Sequence, residues 1–332
     1  MILPVHDGMP YLRDSIESVL AQTWGDFEFL IGDNGSRDGS WHVAQHYASA
    51  DARIRLFRAE QPLGLAGSAN WLARQARAAL IAVIHADDRA YPQRFARQVA
   101  ALSNDRSLAL VGTLWDGMDE AGRRIRPGDF WRLLQQSRFA PFSHSSIMVR
   151  RAAFEAVGGY REAAEYWEDL DLYYRIAATG RIGVIGEVLT TVRHSRISTK
   201  LRGAPERFEF AVDQMFGASA LFAAGGDPIH LPARKSAGKV HPLAFLSYGS
   251  TLLWSGRRPG VFARMIRRAR LRPDRATLHA LIWLSWASVS PRSLRAFLRL
   301  ILATRNRVAK PLLPAGDVIE WIPRRTGVRY LA

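Results

Sequence analysis

Two adjacent carboxylates, Asp87 and Asp88, come directly after a short apolar run at residues 80–84. The run predicts a buried strand, and open α/β sheets bind their ligands beyond the carboxyl ends of such strands. Neighbouring carboxylates repel each other unless a cation lies between them, and Mg²⁺ or Mn²⁺ takes carboxylate oxygens together with phosphate and water. The pair therefore indicates a divalent-cation site at a sheet edge, with a solvated turn as the alternative interpretation.

A second group of acids, Glu168, Asp169 and Asp171, lies at the start of a predicted helix that runs to Gly180. The positive end of the helix dipole stabilises anions in the first turn, and many helices carry acids for that reason alone. The residues by themselves do not separate this structural role from a chemical one.

Strands and helices alternate in the first part of the chain. Apolar runs predict strands at 1–5, 27–31, 54–57 and 80–84, and helical spacing predicts helices at 11–20, 41–48 and 64–79. Further strands are predicted at 108–114, 182–185 and 189–192, with a hairpin tip within 116–129. The loop at 32–40 is rich in Gly, Asp, Asn and Ser, so it offers backbone N–H groups and carboxylates. The alternation predicts an α/β fold with a mostly parallel sheet and helices on its faces.

Five short motifs follow one another within the first 92 residues. They are Pro4-Val5-His6-Asp7, Ser18-Val19-Leu20-Ala21-Gln22-Thr23, Asp33-Asn34-Gly35-Ser36-Arg37-Asp38, Gln61-Pro62-Leu63-Gly64 with Asn70, and His85-Ala86-Asp87-Asp88. Their residue types and their order resemble the family 2 glycosyltransferases, inverting enzymes of the GT-A fold that use nucleotide-sugar donors. Two positions depart from the family pattern: His85 replaces the first acid of the metal motif, and Ala69 stands where many members have an arginine.

This resemblance implies a GT-A (Rossmann-like) mixed sheet and a divalent metal, Mg²⁺ or Mn²⁺, as cofactor. A UDP-sugar is the default donor because UDP is common in the family. The residues expected to contact the nucleotide-sugar are Pro4, His6, Asp7, Asp33, Asn70, Asp87 and Arg193. The metal ligands implied by the resemblance are Asp87, Asp88 and His194.

The acids at 168–171 resemble the family motif Glu-Asp-x-Asp-Leu-x-x-Arg, in which an Asp is the general base. By this resemblance Asp169 is the base, and Glu168 and Asp171 support it. Inversion at the anomeric carbon needs one base to take the proton of the acceptor hydroxyl, and it needs no protein nucleophile. The acceptor is expected to contact Trp167, His144 and Tyr160, although Trp167 and His144 could equally belong to the core.

The net charge of +16 comes entirely from the last third of the chain. Residues 230–332 contain 20 Lys and Arg against three Asp and Glu, whereas the first 229 residues contain 26 against 27. Within 291–305, apolar residues and arginines fall on different helical faces, and such a basic amphipathic helix suits an anionic membrane surface. A helical subdomain with a solvated basic face is the alternative. Nucleic acid is not expected as a partner because no recognition motif is present.

The predicted organisation is a GT-A catalytic domain at 1–200, a helix and linker at 201–229, and a basic helical C-terminal region at 230–332. Within the catalytic domain, 1–92 forms the nucleotide-sugar half and 93–200 the acceptor half. The absence of cysteine excludes disulfides, thiolate metal sites and cysteine nucleophiles, and it fits a reducing compartment. The first residues lack the basic region of a signal peptide. The expected location is cytoplasmic and peripheral, on the inner face of the cytoplasmic membrane.

The sequence thus predicts a metal-dependent inverting glycosyltransferase that moves a sugar from a nucleotide-diphosphate sugar to a saccharide or lipid-linked acceptor in cell-envelope polysaccharide biosynthesis. A nucleotidyltransferase also needs acids and a divalent ion, but it would want a Gly-rich basic phosphate loop near the N-terminus, where this chain has acids. A catalytically inactive nucleotide-sugar or membrane-binding homologue is the other alternative, because of His85 and Ala69.

Overall fold

The computed structural model describes residues 1–125, 142–164, 167–193, 318–321 and 329–330. All of them belong to one of the two compact units of the chain, which comprises Met1–Arg126, Pro141–Arg193 and Ala315–Ala332. Within these described ranges, no helix has the length and apolar character needed to cross a membrane.

Three parallel strands form the N-terminal part of the sheet, in the order β1-β2-β3. The strands are β1 (Ile2–Val5), β2 (Phe29–Asp33) and β3 (Ile54–Arg58), and the helices that follow them are α1 (Leu12–Leu20), α2 (Ser40–Ala50) and α3 (Gly64–Gln75). Parallel neighbours need a crossover connection, which these helices provide. The predicted strand–helix alternation is confirmed here.

The second part of the sheet is mixed, with the main order β11-β10-β9-β6-β8-β4. Its strands are β4 (Leu80–Ala82), β5 (Arg89–Ala90), β6 (Leu108–Met118), β7 (Arg124–Ile125), β8 (Met148–Arg150), β9 (Arg181–Arg193), β10 (Val318–Trp321) and β11 (Arg329–Tyr330). Strands β6 and β9 are parallel, whereas β8 is antiparallel to both β4 and β6. A parallel bridge between Ile2 and Val83 places the chain after β4 beside β1, so the two parts of the sheet meet there.

The remaining helices are α4 (Arg94–Asn104), α5 (Arg151–Ala156) and α6 (Glu168–Thr179), with 3-10 turns at His144–Ser146 and Glu162–Ala164. The core lies where apolar helix faces meet the sheet. In α1, for example, Leu12, Ile16 and Val19 are fully buried, at the spacing that marks one helical face. Each such side chain stabilises the fold by about 1.5–3 kcal/mol through burial. The α/β architecture expected from the sequence is confirmed.

Helix α3 is shorter than predicted, because it ends at Gln75 and not at residue 79. The chain turns extended at Ala76, and the backbone N–H groups of Arg77 and Ala78 both donate to a carboxylate oxygen of Glu28. A tertiary hydrogen-bond acceptor therefore replaces the next turn of helix.

Strand β9 is one strand of 13 residues, whereas the sequence predicted two. The residues between the two predicted strands lie at an irregularity in the pairing with β6. There Thr113 lies opposite Ile185, but the next residue, Leu114, lies opposite Val188. The break predicted from the sequence is thus a change of register within a continuous strand.

Two features lie at the ends of this part of the sheet. The predicted hairpin is confirmed by the antiparallel pairing of β6 and β7. The antiparallel pairing of β10 with β9, which sets Val318 opposite Ile185, was not predicted, because 124 residues lie between the end of β9 and the start of β10 in the chain. Of the other predicted segments, 201–229 and most of 230–332 lie outside the described residues.

Candidate active site

Asp88 is held at the edge of the sheet by one group from the end of β9 and one from the 3-10 turn that precedes β8. The side chain is only 2% exposed. One carboxylate oxygen accepts a hydrogen bond from the backbone N–H of Arg193 at 2.9 Å, and the other accepts from the hydroxyl of Ser145. Ser145 in turn accepts from the backbone N–H of His85 at 3.1 Å. These two groups therefore fix Asp88 in one orientation.

The environment of Asp87 and Asp88 disfavours the ionised forms of both carboxyls. Burial raises the pKa of Asp88 to about 6, even though its hydrogen bonds oppose the change. Burial and then the repulsion of Asp88 raise the pKa of Asp87 to about 6, while His85 acts in the opposite direction. Any cation placed beside the two carboxylates would favour their ionised forms.

Asp87 and Asp88 form a potential metal-binding group with His85. One ligand atom from each of these residues lies within 4.8 Å of the others. Carboxylate oxygens suit Mg²⁺ and Mn²⁺, and an imidazole nitrogen is also accepted by Mn²⁺ and later transition metals. The donor set therefore fits a divalent cation. His194, the third ligand expected from the sequence, lies outside the described residues.

Arg193 is buried under the acidic turn and contacts protein atoms. Its side chain is 1% exposed, and its Nη2 donates to Asp14 at 2.7 Å. Its Nε donates to the carbonyl of Asp87 at 2.9 Å, and its Nη1 donates to the carbonyls of Asp119 and Glu120 at 3.1 Å. In this arrangement Arg193 acts on the expected donor site by holding the turn that carries Asp87 and Asp88.

The residues expected to bind the nucleotide lie at the ends of β1 and β2. Asp33 ends β2 and is 1% exposed. Its Oδ1 accepts from the backbone N–H of Ser36 at 3.3 Å. Its Oδ2 has no hydrogen-bond partner among the described residues and lies 3.4 Å from Nε of Arg58. A buried carboxylate oxygen with remaining acceptor capacity is suited to an N–H group of a nucleotide base.

The loop after β1 is tied to the loop after β2. Pro4 lies opposite Gly32 within the sheet. Nδ1 of His6 lies 2.8 Å from the carbonyl of Asn34, which can only accept, so this nitrogen carries the proton. Asp7 accepts from the backbone N–H of Arg37 at 2.8 Å. His6 and Asp7 thus border the same strand ends as Asp33.

Asn70 joins α3 to the turn before Glu162. Its Oδ1 accepts from the backbone N–H of Tyr160 at 2.9 Å, and its Nδ2 donates to the carbonyl of Tyr160 at 2.8 Å. A Cβ atom at Gly159 would lie 2.5 Å from Oδ1 of Asn70. Both ends of the Asn70 amide are therefore engaged by the backbone, and the residue positions Tyr160.

Three side chains form a hydrogen-bonded chain that starts at the acidic pair. Nδ1 of His85 lies 3.7 Å from Asp88, and Nε2 of His85 lies 2.9 Å from Nδ1 of His144. Nε2 of His144 lies 2.6 Å from the hydroxyl of Tyr160, which is 3% exposed. The sequence predicted His144 and Tyr160 as acceptor contacts. It did not predict their connection to His85, although the replacement of an acid by His85 was a visible signal.

The candidate base lies at the start of α6. Asp169 is half-buried, and its Oδ1 accepts from the backbone N–H of Leu170 at 2.8 Å. Glu168 and Trp167 beside it are buried. Asp171 is fully buried and pairs with Arg175 at 2.5 Å and with Arg161 at 3.6 Å, so it stabilises the helix start. Of the acids in this group, Asp169 is the most accessible.

The carboxylates at the start of α6 act electrostatically on Tyr160. Burial raises the pKa of Tyr160 well above its ordinary value, and the carboxylates of Asp169 and Glu168 raise it further. Tyr173 shows the same direction, from burial and then from Asp169. Because Tyr160 ends the chain that begins at His85, the candidate base and the candidate metal group flank the same set of side chains.

A mixed α/β sheet with an acidic pair at its edge, and a further group of carboxylates at a helix start, is the arrangement expected of a transferase of the GT-A class. The family described as glycosyl transferase family 2 matches residues 1–158. The putative glycosyltransferase EpsE of Bacillus subtilis is 31% identical over 220 residues, which are 64% of this chain and 77% of EpsE. The chain belongs to glycosyltransferase family 2 and is a glycosyltransferase.

Other relatives support this assignment. The O-antigen biosynthesis protein RfbC of Myxococcus xanthus is 30% identical over 212 residues, which are 61% of this chain but only 16% of RfbC. The mannosyltransferase PcManGT of Pyrobaculum calidifontis, solved with GDP-Man and Mn²⁺, has a TM-score of 0.57 at 16% identity and covers 93% of this chain and 87% of its own. TarS of S. aureus, solved with UDP-GlcNAc, has a TM-score of 0.53 at 15% identity, with 100% and 98% covered. These structures confirm the GT-A fold.

Proposed function

We propose that this protein is an inverting glycosyltransferase that transfers a sugar from a nucleotide-diphosphate sugar, by default a UDP-sugar, to a saccharide or lipid-linked acceptor in cell-envelope polysaccharide biosynthesis. The observation that carries the proposal is the hydrogen-bonded chain formed by His85, His144 and Tyr160. Asp87 and Asp88 lie beside His85 at one end of this chain, and Asp169 acts electrostatically on Tyr160 at the other end. Structural neighbours that bind GDP-Man or UDP-GlcNAc, and the O-antigen relative, support the donor and acceptor classes.

On the donor side, Asp33 accepts a hydrogen bond from the base through Oδ2, and His6 packs beside the base. Asp87 and Asp88 hold the divalent cation, Mg²⁺ or Mn²⁺. When bound, the cation neutralises negative charge on the diphosphate leaving group. Arg193 keeps both carboxylates in place through the contacts to Asp87 and the backbone N–H that binds Asp88.

On the acceptor side, Asp169 takes the proton from the attacking hydroxyl. The acceptor oxygen forms a bond to the anomeric carbon while the bond from that carbon to the phosphate oxygen breaks. The electron pair leaves with the nucleoside diphosphate, and the configuration at the anomeric carbon inverts. A single displacement of this kind needs one base and no covalent intermediate.

The basic C-terminal region is proposed to bring the enzyme to a lipid-linked acceptor. Its excess of Lys and Arg at 230–332 would attract it to anionic lipids, at about 1 kcal/mol per basic residue close to the surface. The proposed location is accordingly cytoplasmic and peripheral on the inner face of the cytoplasmic membrane. The sequence charge supports this proposal.

Replacing Asp169 with asparagine tests the mechanism. UDP-glucose, UDP-GlcNAc and GDP-mannose are offered with Mn²⁺ and with a panel of oligosaccharide and lipid-linked acceptors, and the release of nucleoside diphosphate is measured. We expect kcat to fall about 10²–10⁴-fold, the range for loss of a general base, while the thermal shift caused by the donor is retained. The wild-type product should show the inverted anomeric configuration by NMR.

Asp26→Asn is the matched control, because Asp26 is exposed and precedes β2, at the opposite end of that strand from Asp33, and it should leave kcat unchanged. Release of pyrophosphate by the wild-type protein would indicate nucleotidyl transfer instead. Donor binding without any product would indicate an inactive homologue. A retained configuration would contradict the single-displacement mechanism.

A further inference from the structure

We propose that His85 is a nitrogen ligand of the bound cation, positioned by His144 and Tyr160, so that the site prefers Mn²⁺, Co²⁺ or Zn²⁺ over Mg²⁺. The inference rests on the proposed function in one respect, namely that a divalent cation binds at Asp87 and Asp88. It adds a ligand of a different chemical type and predicts the metal selectivity of this particular chain.

The position of the imidazole supports a ligand role for Nδ1. Nδ1 of His85 lies 3.7 Å from Oδ2 of Asp88, and the ligand atoms of His85, Asp87 and Asp88 all lie within 4.8 Å of one another. At metal–ligand distances of about 2.0–2.2 Å, two ligands of one ion lie up to about 4.4 Å apart. A small rotation of a side chain therefore brings all three atoms to one ion.

Nε2 of His85 has a hydrogen-bond partner of the kind that a metal-ligating histidine usually has on its second nitrogen. Nε2 of His85 lies 2.9 Å from Nδ1 of His144, so one proton is shared between them. When that proton is on Nε2 of His85, Nδ1 of His85 presents its lone pair beside Asp88. His144 then carries its own proton on Nε2, which lies 2.6 Å from the Tyr160 hydroxyl. A ligating histidine usually donates its second N–H to a fixed acceptor, which sets the tautomer. His144 supplies that acceptor.

The change of ligand type alters the choice of metal. Mg²⁺ strongly prefers oxygen ligands, whereas imidazole suits Mn²⁺ less well than Zn²⁺ or Co²⁺ but better than it suits Mg²⁺. An acid at position 85, as in the motif that this stretch resembles, would give an all-oxygen set. His85 therefore moves the site away from Mg²⁺.

Pulsed EPR of bound Mn²⁺ tests the ligand directly, because a coordinated ¹⁴N nucleus modulates the signal. The full chain is used in a His194→Asn background, so that the other histidine expected near the metal cannot contribute. Spectra are recorded without nucleotide, with UDP and with GDP. We expect nitrogen coupling in this background and its loss when His85→Asp is added. His42→Asn, which changes an exposed histidine on α2, should retain the coupling.

Competition with Mg²⁺ tests the selectivity in the same proteins. The ratio of the Mg²⁺ and Mn²⁺ dissociation constants should fall about tenfold or more in His85→Asp. His144→Leu should weaken Mn²⁺ binding by about 10–100-fold, the usual effect of losing the partner of a ligating histidine, while the nitrogen coupling remains. His144→Gln, whose amide oxygen can accept the same hydrogen bond, should restore much of the affinity.

Bound Mn²⁺ without nitrogen coupling, coupling that survives in His85→Asp, or an unchanged metal ratio would each overturn the inference, as would the absence of Mn²⁺ binding under all three conditions. If His144→Leu binds Mn²⁺ like the parent, the positioning role is wrong. Glycosyl transfer is measured separately, as nucleoside diphosphate release from the wild-type protein. A failure of the ligand assignment is therefore distinguishable from a failure of the proposed function.

Discussion

Replacing Asp88 with asparagine should stabilise the metal-free protein at neutral pH while it removes metal binding. Folding raises the pKa of Asp88 from 3.8 to about 6 because the carboxyl is buried. The folded state therefore favours the protonated form, and the stability that this form contributes is present below the unfolded pKa and is lost as pH rises through about 6. A shift of about two pKa units corresponds to about 3 kcal/mol.

Asparagine has nearly the same shape as aspartate and no charge to bury. Its Oδ1 can accept from the N–H of Arg193, and its Nδ2 can donate to the hydroxyl of Ser145, so both contacts of Asp88 have a replacement. It also removes the repulsion that raises the pKa of Asp87. At about 2 °C per kcal/mol, we expect the metal-free variant to melt about 6 °C above the wild-type protein at pH 7.5.

Differential scanning calorimetry in EDTA between pH 3.5 and pH 8 gives the assay. The two melting temperatures should agree near pH 3.5, diverge between about pH 4 and pH 6, and differ by a constant amount above pH 7. Added Mn²⁺ should raise the melting temperature of the wild-type protein according to ln(1+[L]/Kd). It should have little effect on the variant.

Asp51→Asn provides a control of opposite sign. Hydrogen bonds from Arg53 lower the pKa of Asp51, so the wild-type protein should gain stability over Asp51→Asn as pH rises through the acidic range. Two results would refute the conclusion that the buried, ionised carboxylate of Asp88 destabilises the folded protein. One is a difference in melting temperature between wild type and Asp88→Asn that does not depend on pH. The other is a difference that increasingly favours the wild type as pH rises.

Two further substitutions test the positioning residues. Asn70→Ala removes both hydrogen bonds to the backbone of Tyr160, so it should cost about 1–3 kcal/mol in the free energy of unfolding. Urea unfolding measures this cost. A change below about 0.5 kcal/mol, which is typical of a surface substitution, would contradict the positioning role of Asn70. Arg193→Met removes one of the two arginine partners of Asp14, since Arg89 remains, and the guanidinium hydrogen bonds to the carbonyls of Asp87, Asp119 and Glu120, so it should cost about 1–3 kcal/mol in the free energy of unfolding. It should also weaken Mn²⁺ binding in a calorimetric titration, and unchanged affinity would show that Arg193 does not hold the acidic turn.

Local sequence signals were sufficient for most of the N-terminal half of the fold. Strand β2 is a short apolar run that stops at a Gly/Asp/Asn/Ser loop, and α1 repeats its apolar residues at helical spacing. Asp33 and Asp88 stand out in the sequence because each comes shortly after an apolar run, and Asp169 because it lies at a helix start within a recognisable acidic motif. Such signals lie within a few residues of each other, so a single sequence displays them.

Contacts between distant residues could not be predicted in this way. The His85–His144 hydrogen bond joins residues 59 apart, and the amide of Asn70 meets Tyr160 across 90 residues. Arg193 was expected to contact the donor, but its hydrogen bonds to Asp87 and Asp14 join residues 106 and 179 positions apart in the chain. Likewise, α3 ends at Gln75 because the backbone N–H groups of Arg77 and Ala78 donate to Glu28. The apolar periodicity of the helix does not reveal this contact.

The pairing of β10 with β9 has a practical consequence for dissecting this enzyme. Val318–Trp321 covers the outer edge of β9 along Ile182–Ile185, and Glu320 adds an ion pair with Arg181 at 3.3 Å. A truncated protein that stops near residue 200 would leave this edge with a row of unpaired backbone N–H and C=O groups. Exposed edges of this kind recruit strands from other molecules and promote aggregation. Poor solubility of such a fragment would therefore reflect a missing strand, and a soluble catalytic fragment would need residues 318–321 joined back to β9.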